Sequence, residues 1–90
     1  MSTMLISYDL NSPGQKYDEL IKHIKSYGTW CHVLDSTWAV VTTRTASGVR
    51  DECLKHIDTS DDLHVVNITG QGSAWYGLSP QISAWLKKHT

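Results

Sequence analysis

Phenylalanine is absent from this chain of 90 residues. The large apolar side chains are instead four Trp and four Tyr. Each carries a polar atom that wants a partner, which draws such residues to interfaces and ligand walls. Positive charge is not in surplus either: eight Lys and Arg stand against nine Asp and Glu, for a formal net charge of -1. A dedicated nucleic-acid binder displaces phosphate counterions with an excess of Lys and Arg, so a long polyanion is a poor match. The longest basic cluster, Lys87-Lys88-His89, suits a solvated helix end favoured by the helix dipole. Cysteine is scarce. Cys31 and Cys53 lie far apart without a CxxC spacing, and are expected reduced and partly buried in a cytoplasmic protein. The first ten residues lack the basic flank and apolar run of a signal peptide. No run approaches the ~18 apolar residues of a membrane span, so no membrane partner is expected. Five His show neither HxxxH spacing nor a Cys/His knuckle, which argues against zinc. Internal repeats and low-complexity tracts are also missing.

What remains reads as one small domain. A chain of this size buries only about 60–65% of its unfolded surface, and dimerisation is a common way to add to that. Residues 4–10 form a short apolar run bounded by turn residues, which predicts a central strand. Asn11-Ser12-Pro13-Gly14 punctuates it. Tyr17, Leu20, Ile21 and Ile24 then recur at helical spacing, with Asp18 and Glu19 early, Lys22 and Lys25 late, and Gly28 as the stop. Residues 30–34 and 37–43 are rich in β-branched and aromatic side chains and flank Asp35-Ser36, a hairpin signature. A second helix is predicted over 46–57, capped by Thr45 or Ser47, with Val49, Cys53, Leu54 and Ile57 as its buried stripe. After a polar turn at 58–62, residues 63–69 predict a fourth strand. The order βαββαβ is two split β-α-β units, an α+β domain of the ferredoxin-like type with both helices on one face. That leaves the other face for water, a ligand or a second subunit. The core is thus about 4–69. Residues 70–77 form a glycine-rich loop holding Trp75 and Tyr76, and Ser79-Pro80 opens a short C-terminal helix with Ile82, Trp85 and Leu86 as its apolar positions.

The strand "LISYDL" ending in Asp9, the helix closing with "SYG", and the hairpin strand "STWAVVT" before a second helix carry a resemblance. Over roughly residues 4–69 the chain resembles the small CRISPR-associated Cas-two endonuclease family. Within that family it resembles the compact SinR-like branch, of which "DSTW" and "AWYG" look typical. The resemblance implies a ferredoxin-like homodimer in which Asp9 faces its symmetry mate across the dimer axis as a magnesium ligand. Mg²⁺ prefers hard oxygen ligands and keeps several waters, so two carboxylates and a substrate phosphate suffice. The chain departs from the family in one stretch. Nuclease-type relatives follow the Asp with a basic segment, whereas here residues 11–16 hold a single Lys, which weakens phosphate binding and charge stabilisation in a transition state.

The residues themselves nominate a site. Asp9 at a central strand's end is well placed for one, though an Asp there also caps the following turn. Alternation sends Ser7 and Asp9 to one face and Tyr8 to the other, where Tyr8 reads as core with its hydroxyl satisfied. His32 and His64 are able to donate to a phosphate or act as acids. Trp38, in mid-strand, reads as packing. Trp75 and Tyr76 cover either a ligand or the domain's own sheet. Gly70-Gln71-Gly72-Ser73 lacks the GxxxxGK(S/T) pattern and reads as a loop rather than a phosphate cradle. Few cations and many stacking rings suit a small ligand. The expectation is a cytoplasmic homodimer that senses or sequesters a nucleotide signal, as in phage defence or counter-defence. Ser7, Asp9, His32, Trp75 and Tyr76 would line the site. A Mg-dependent phosphodiesterase or endonuclease acting on short nucleic acid or nucleotide through an Asp9 pair is the alternative, and a protein–protein adaptor is the second.

Overall fold

In the computed structural model, which describes residues 1–11 and 17–90, seven elements follow one another. They are β1 (Ser2–Asp9), α1 (Asp18–Lys25), β2 (Thr29–Leu34), β3 (Thr37–Thr42), α2 (Ala46–Leu54), β4 (Asp62–Asn67) and α3 (Pro80–His89). The four strands form one sheet in the order β2-β3-β1-β4 with every neighbouring pair antiparallel. The fold is α+β and of the ferredoxin-like type, as the order of periodic segments predicts. The expected turn at 11–14 and the Lys16 segment lie, apart from Asn11, outside the described residues.

Strand alternation divides β1 between two faces. On one, Ile6 lies opposite Trp38 and Val65, and Met4 opposite Val40. This face meets α1 through Leu20 and Ile24 and α2 through Val49 and Cys53, all fully buried. Trp38 sits in this core rather than at a surface, and its Nε1–H donates to Tyr8 Oη at 3.0 Å. The indole thus buries its area while its one donor stays satisfied. Both thiols are buried, which pushes Cys31 up and Cys53 up to about 11, the latter with help from Glu52. Their sulfurs are therefore protonated and inert at neutral pH.

The helix ends follow local chemistry. Thr45 Oγ1 accepts from Gly48 N–H at 3.1 Å and caps α2, and Ser79 Oγ accepts from Ile82 N–H and caps α3 with Pro80 next. Gly28, at φ 89°, occupies the left-handed region just after α1, where a Cβ is strained. The second helix ends at Leu54, earlier than the periodicity to Ile57 suggests; Leu54, expected in the buried stripe, is 48% exposed at the helix end, whereas Ile57 still packs on the core.

The other face is where the structure departs from expectation. With two helices on one side, this face is expected to wait for a ligand or a second subunit, but part of it is already covered. Ala39, Thr3 and Cys31 face away from α1 and α2, and all three are buried. Residues 68–78 and α3 fold back across them. Thr3 donates through its N–H to Thr69 Oγ1 at 2.7 Å and through its hydroxyl to the His89 carbonyl at 2.6 Å. Leu86 is the buried contact of α3. The cover stops short of the C-terminal end of β1, so half of this face stays open. Among the described residues, no helix is long and apolar enough to cross a membrane.

Between α1 and α2, the His23 ring stacks on His56 at 5.1 Å and shares a 3.0 Å hydrogen bond with Tyr27 Oη. Burial lowers the His23 pKa from 6.5; His56, Arg44 and Lys55 add to this and Glu52 opposes it. Folding therefore favours the neutral ring. This contribution is complete above pH 6.5 and is lost as pH falls below it toward the depressed folded-state value. Urea titrations from pH 7.5 to 5 should show declining stability, and His23→Gln should flatten that decline. Tyr8→Phe should cost about 1–3 kcal/mol in the same assay at pH 7.5, because the buried Trp38 donor loses its acceptor.

Candidate functional site

The open half of the second face is a recess of about 320 Å³ at the end of β1. The strand register builds it. Ser7 lies opposite Thr37 on one side and His64 on the other, and Asp9 lies opposite Asp62. Ser36 completes the wall from the β2–β3 hairpin. Tyr8 N–H donates to the Ser36 carbonyl at 3.1 Å and clamps the hairpin to β1. Ser7 Oγ and Thr37 Oγ1 are 3.2 Å apart and share one hydrogen bond.

Two carboxylates line the recess and no Lys or Arg does, among the described residues. Asp62 accepts from the Asn11 side-chain amide at 3.3 Å, and Asn11 also reaches the Ser60 carbonyl. Asp9 is exposed, and its carboxylate makes no hydrogen bond or ion pair among the described residues. Asn11 touches only its main-chain carbonyl. The Asn11 N–H, one of the turn donors open to Asp9, goes to Asp61 instead. Its carboxylate takes the Asn11 N–H at 2.7 Å, the Asp58 N–H at 2.8 Å and the Tyr17 hydroxyl at 3.0 Å. Desolvation pushes the Asp61 carboxyl up, but these donors together hold it below its ordinary value.

A second groove of about 320 Å³ adjoins the recess, and Thr37 lines both. It is mostly apolar, walled by Leu5, Val33, Leu34, Leu78 and Leu86, with Trp75 and Tyr76 on its rim. A bulge between His32 and Leu34 brings Leu34 opposite Thr37 and so onto this face. Trp75 is half-buried, and its Nε1–H donates to Ser83 Oγ at 3.0 Å, pinning the loop to α3. Tyr76 is 98% exposed. Gly77, at φ 80°, makes the turn that places these aromatics ahead of α3.

Of the residues nominated from sequence, Ser7 and Asp9 share the recess, and Trp75 and Tyr76 share the adjoining groove. His32 joins neither. Its partner across the hairpin is Trp38, which puts it on the α1–α2 side of the sheet. There its ring stacks on Trp38 at 3.8 Å, and its Nε2–H donates to the Asp35 carbonyl at 3.1 Å. Trp30 lies on the same side beneath Lys25 Nζ at 5.1 Å. His64 takes the place foreseen for His32. Thr37 and Asp62 were legible only as turn residues, because their proximity to Asp9 depends on strand register, which local sequence does not reveal. In the Gly70–Ser73 stretch the Gln71 N–H is spent on the Ile68 carbonyl.

Among the described residues, no group of three or more His, Cys, Asp or Glu is arranged to hold a metal ion. Comparison with protein-family models, with curated proteins and with solved structures returned no match. The likeness to the nuclease family thus rests on short motifs and element order alone.

The Trp75–Ser83 bond can be isolated by a double-mutant cycle. Trp75→Phe and Ser83→Ala should each lower stability, and the coupling between them should be about 0.5–1.5 kcal/mol. Additive losses would show that the bond does not hold the loop.

Proposed function

We propose that this protein is a cytoplasmic, homodimeric binding module that holds a nucleotide-type ligand without turning it over. One observation carries the reading: Thr37 joins a hydroxyl- and carboxylate-lined recess to an apolar groove rimmed by two aromatics. A nucleotide has the same division. Its base is a flat π-surface that stacks on Trp or Tyr, and its sugar offers directional hydrogen-bond donors and acceptors. In this reading the base lies against Trp75 and Tyr76, and the ribose reaches past Thr37 to Ser7 and Asp9. His64 closes the far side.

Support for a homodimer comes from the open half of the second face. A two-fold pairing across it sets two recesses facing one another and encloses a ligand that a single chain leaves half in solvent. A domain of this size also gains proportionally more from added burial than a large one does.

Tyr76 provides a clean test, because a side chain that is 98% exposed adds almost nothing to the fold. Purified protein is incubated with a panel of nucleosides, nucleotides and cyclic dinucleotides. Retained ligand is released by heat and identified by mass spectrometry. Tyr76→Ala should weaken retention by about 1–3 kcal/mol, the worth of one stacked base, at unchanged Tm. Undiminished retention by the variant would count against this reading, and so would recovery of a cleaved ligand.

A further inference from the structure

We infer that the recess selects a neutral ribose diol, so that the bound moiety is a ribonucleoside whose phosphate, where present, stays outside; this rests on the nucleotide-type reading above. The inventory of donors and acceptors carries the inference. Asp9 and Asp62 face each other across the β1–β4 register and supply only acceptors when ionised. One oxygen of Asp62 is already taken by Asn11, whereas among the described residues nothing bonds to either oxygen of the Asp9 carboxylate. Ser7 and Thr37 use one hydroxyl proton on each other, so a single free O–H remains between them. Ser36 and His64 add a hydroxyl and an imidazole to the wall, so the recess offers neutral donors beside two carboxylates and carries no Lys or Arg among the described residues.

A phosphate is the wrong partner for such a lining. It brings acceptors and negative charge to a place that already holds two carboxylates. The cations of the described chain stand outside the recess: Arg44 and Lys55 on Glu52, Lys22 on Glu19, Lys25 over Trp30, and Arg50 on Asp51 in a separate pocket that meets the recess at Leu63 and His64. Lys87 and Lys88 belong to the last turn of α3. None of them lines the recess. A vicinal diol has the opposite character. Its two O–H groups donate to one carboxylate while its oxygens accept from a hydroxyl or imidazole N–H, as when an acidic side chain takes up a ribose in dinucleotide-binding folds. The apolar groove beyond Thr37 fixes the direction of entry, with the base outward along Leu34 and Trp75 and the sugar inward at Asp9. Removing the 2′-hydroxyl strips one charge-assisted hydrogen bond from Asp9, and the loss of that bond is the source of the discrimination.

The test is calorimetric titration of the full chain with the four common ribonucleosides, their 2′-deoxy counterparts and their 5′-monophosphates, each in EDTA and in Mg²⁺. The expected result is that at least one ribonucleoside binds about 10- to 100-fold more tightly than its deoxy counterpart. Its monophosphate should bind no more tightly than the nucleoside. Asp9→Asn should bring the ribonucleoside down to the deoxy level, and the circular dichroism spectrum and Tm of that variant establish that the fold is intact. Equal ribo and deoxy affinities overturn the inference while leaving the nucleotide-type reading in place. A monophosphate preferred in EDTA does the same. Phosphate binding that appears only with Mg²⁺ also overturns it, because the carboxylates then hold a cation rather than a sugar. If no nucleoside or nucleotide in the panel binds at all, the nucleotide-type reading falls and the inference falls with it.

Discussion

β1 pairs with β3 on one side and β4 on the other, so its side chains have nowhere to go but the two faces of the sheet. Met4 and Ile6 occupy one face and are almost wholly buried by α1 and α2. Thr3, Leu5, Ser7 and Asp9 occupy the other, and their character changes along the strand from apolar to acidic. This single strand therefore sets both the core and the site. A shift of pairing by one residue would exchange the faces, putting Asp9 toward the helices and Ile6 into the recess. The pattern tolerates no such slip, which is why the register is well specified where the chemistry sits.

The gradient along that second face explains the division of labour between its two halves. Where the strand offers Leu5 and its neighbour Ala39, α3 and the preceding loop close down, burying Ala39 and covering Leu5 in part. Where it offers Ser7 and Asp9, no apolar segment gains by docking, and desolvating the carboxylate would be costly. The boundary falls at Thr37, whose methyl and hydroxyl suit either side. A third layer also supplies part of the burial that a two-layer domain of 90 residues lacks. The aromatic loop has thus a structural task, through Trp75 and Ser83, alongside an exposed ring at Tyr76 that has none.

Most of this architecture was legible in the sequence because it rests on local signals. Helical spacing located Leu20, Ile24, Val49 and Cys53, and cap chemistry located Thr45 and Ser79-Pro80. Alternation separated Tyr8 from Ser7 and Asp9, and Trp38 read correctly as core. The misses share one cause. The position of His32 depends on which residue of β3 it pairs with, and the entry of Asp62 and Thr37 into the recess depends on pairings across 53 and 30 positions. The docking of α3 on the far face depends on a connection whose glycines say that the chain turns but not where it goes. Periodicity shows which side of an element is apolar, but it does not show what that side meets.

The clasp between Thr3 and His89 joins residues 86 positions apart. The two hydrogen bonds of Thr3 close a loop that contains nearly the whole domain, and closing so long a loop gives no return until the sheet within it exists. The groove beneath α3 therefore closes onto a sheet that must already exist, and the clasp is one of the contacts that hold it shut. Whenever α3 lifts away, Leu5 and its neighbours on the sheet face water, so the same opening that gives access to the groove lays bare an apolar strip able to stick to its own kind.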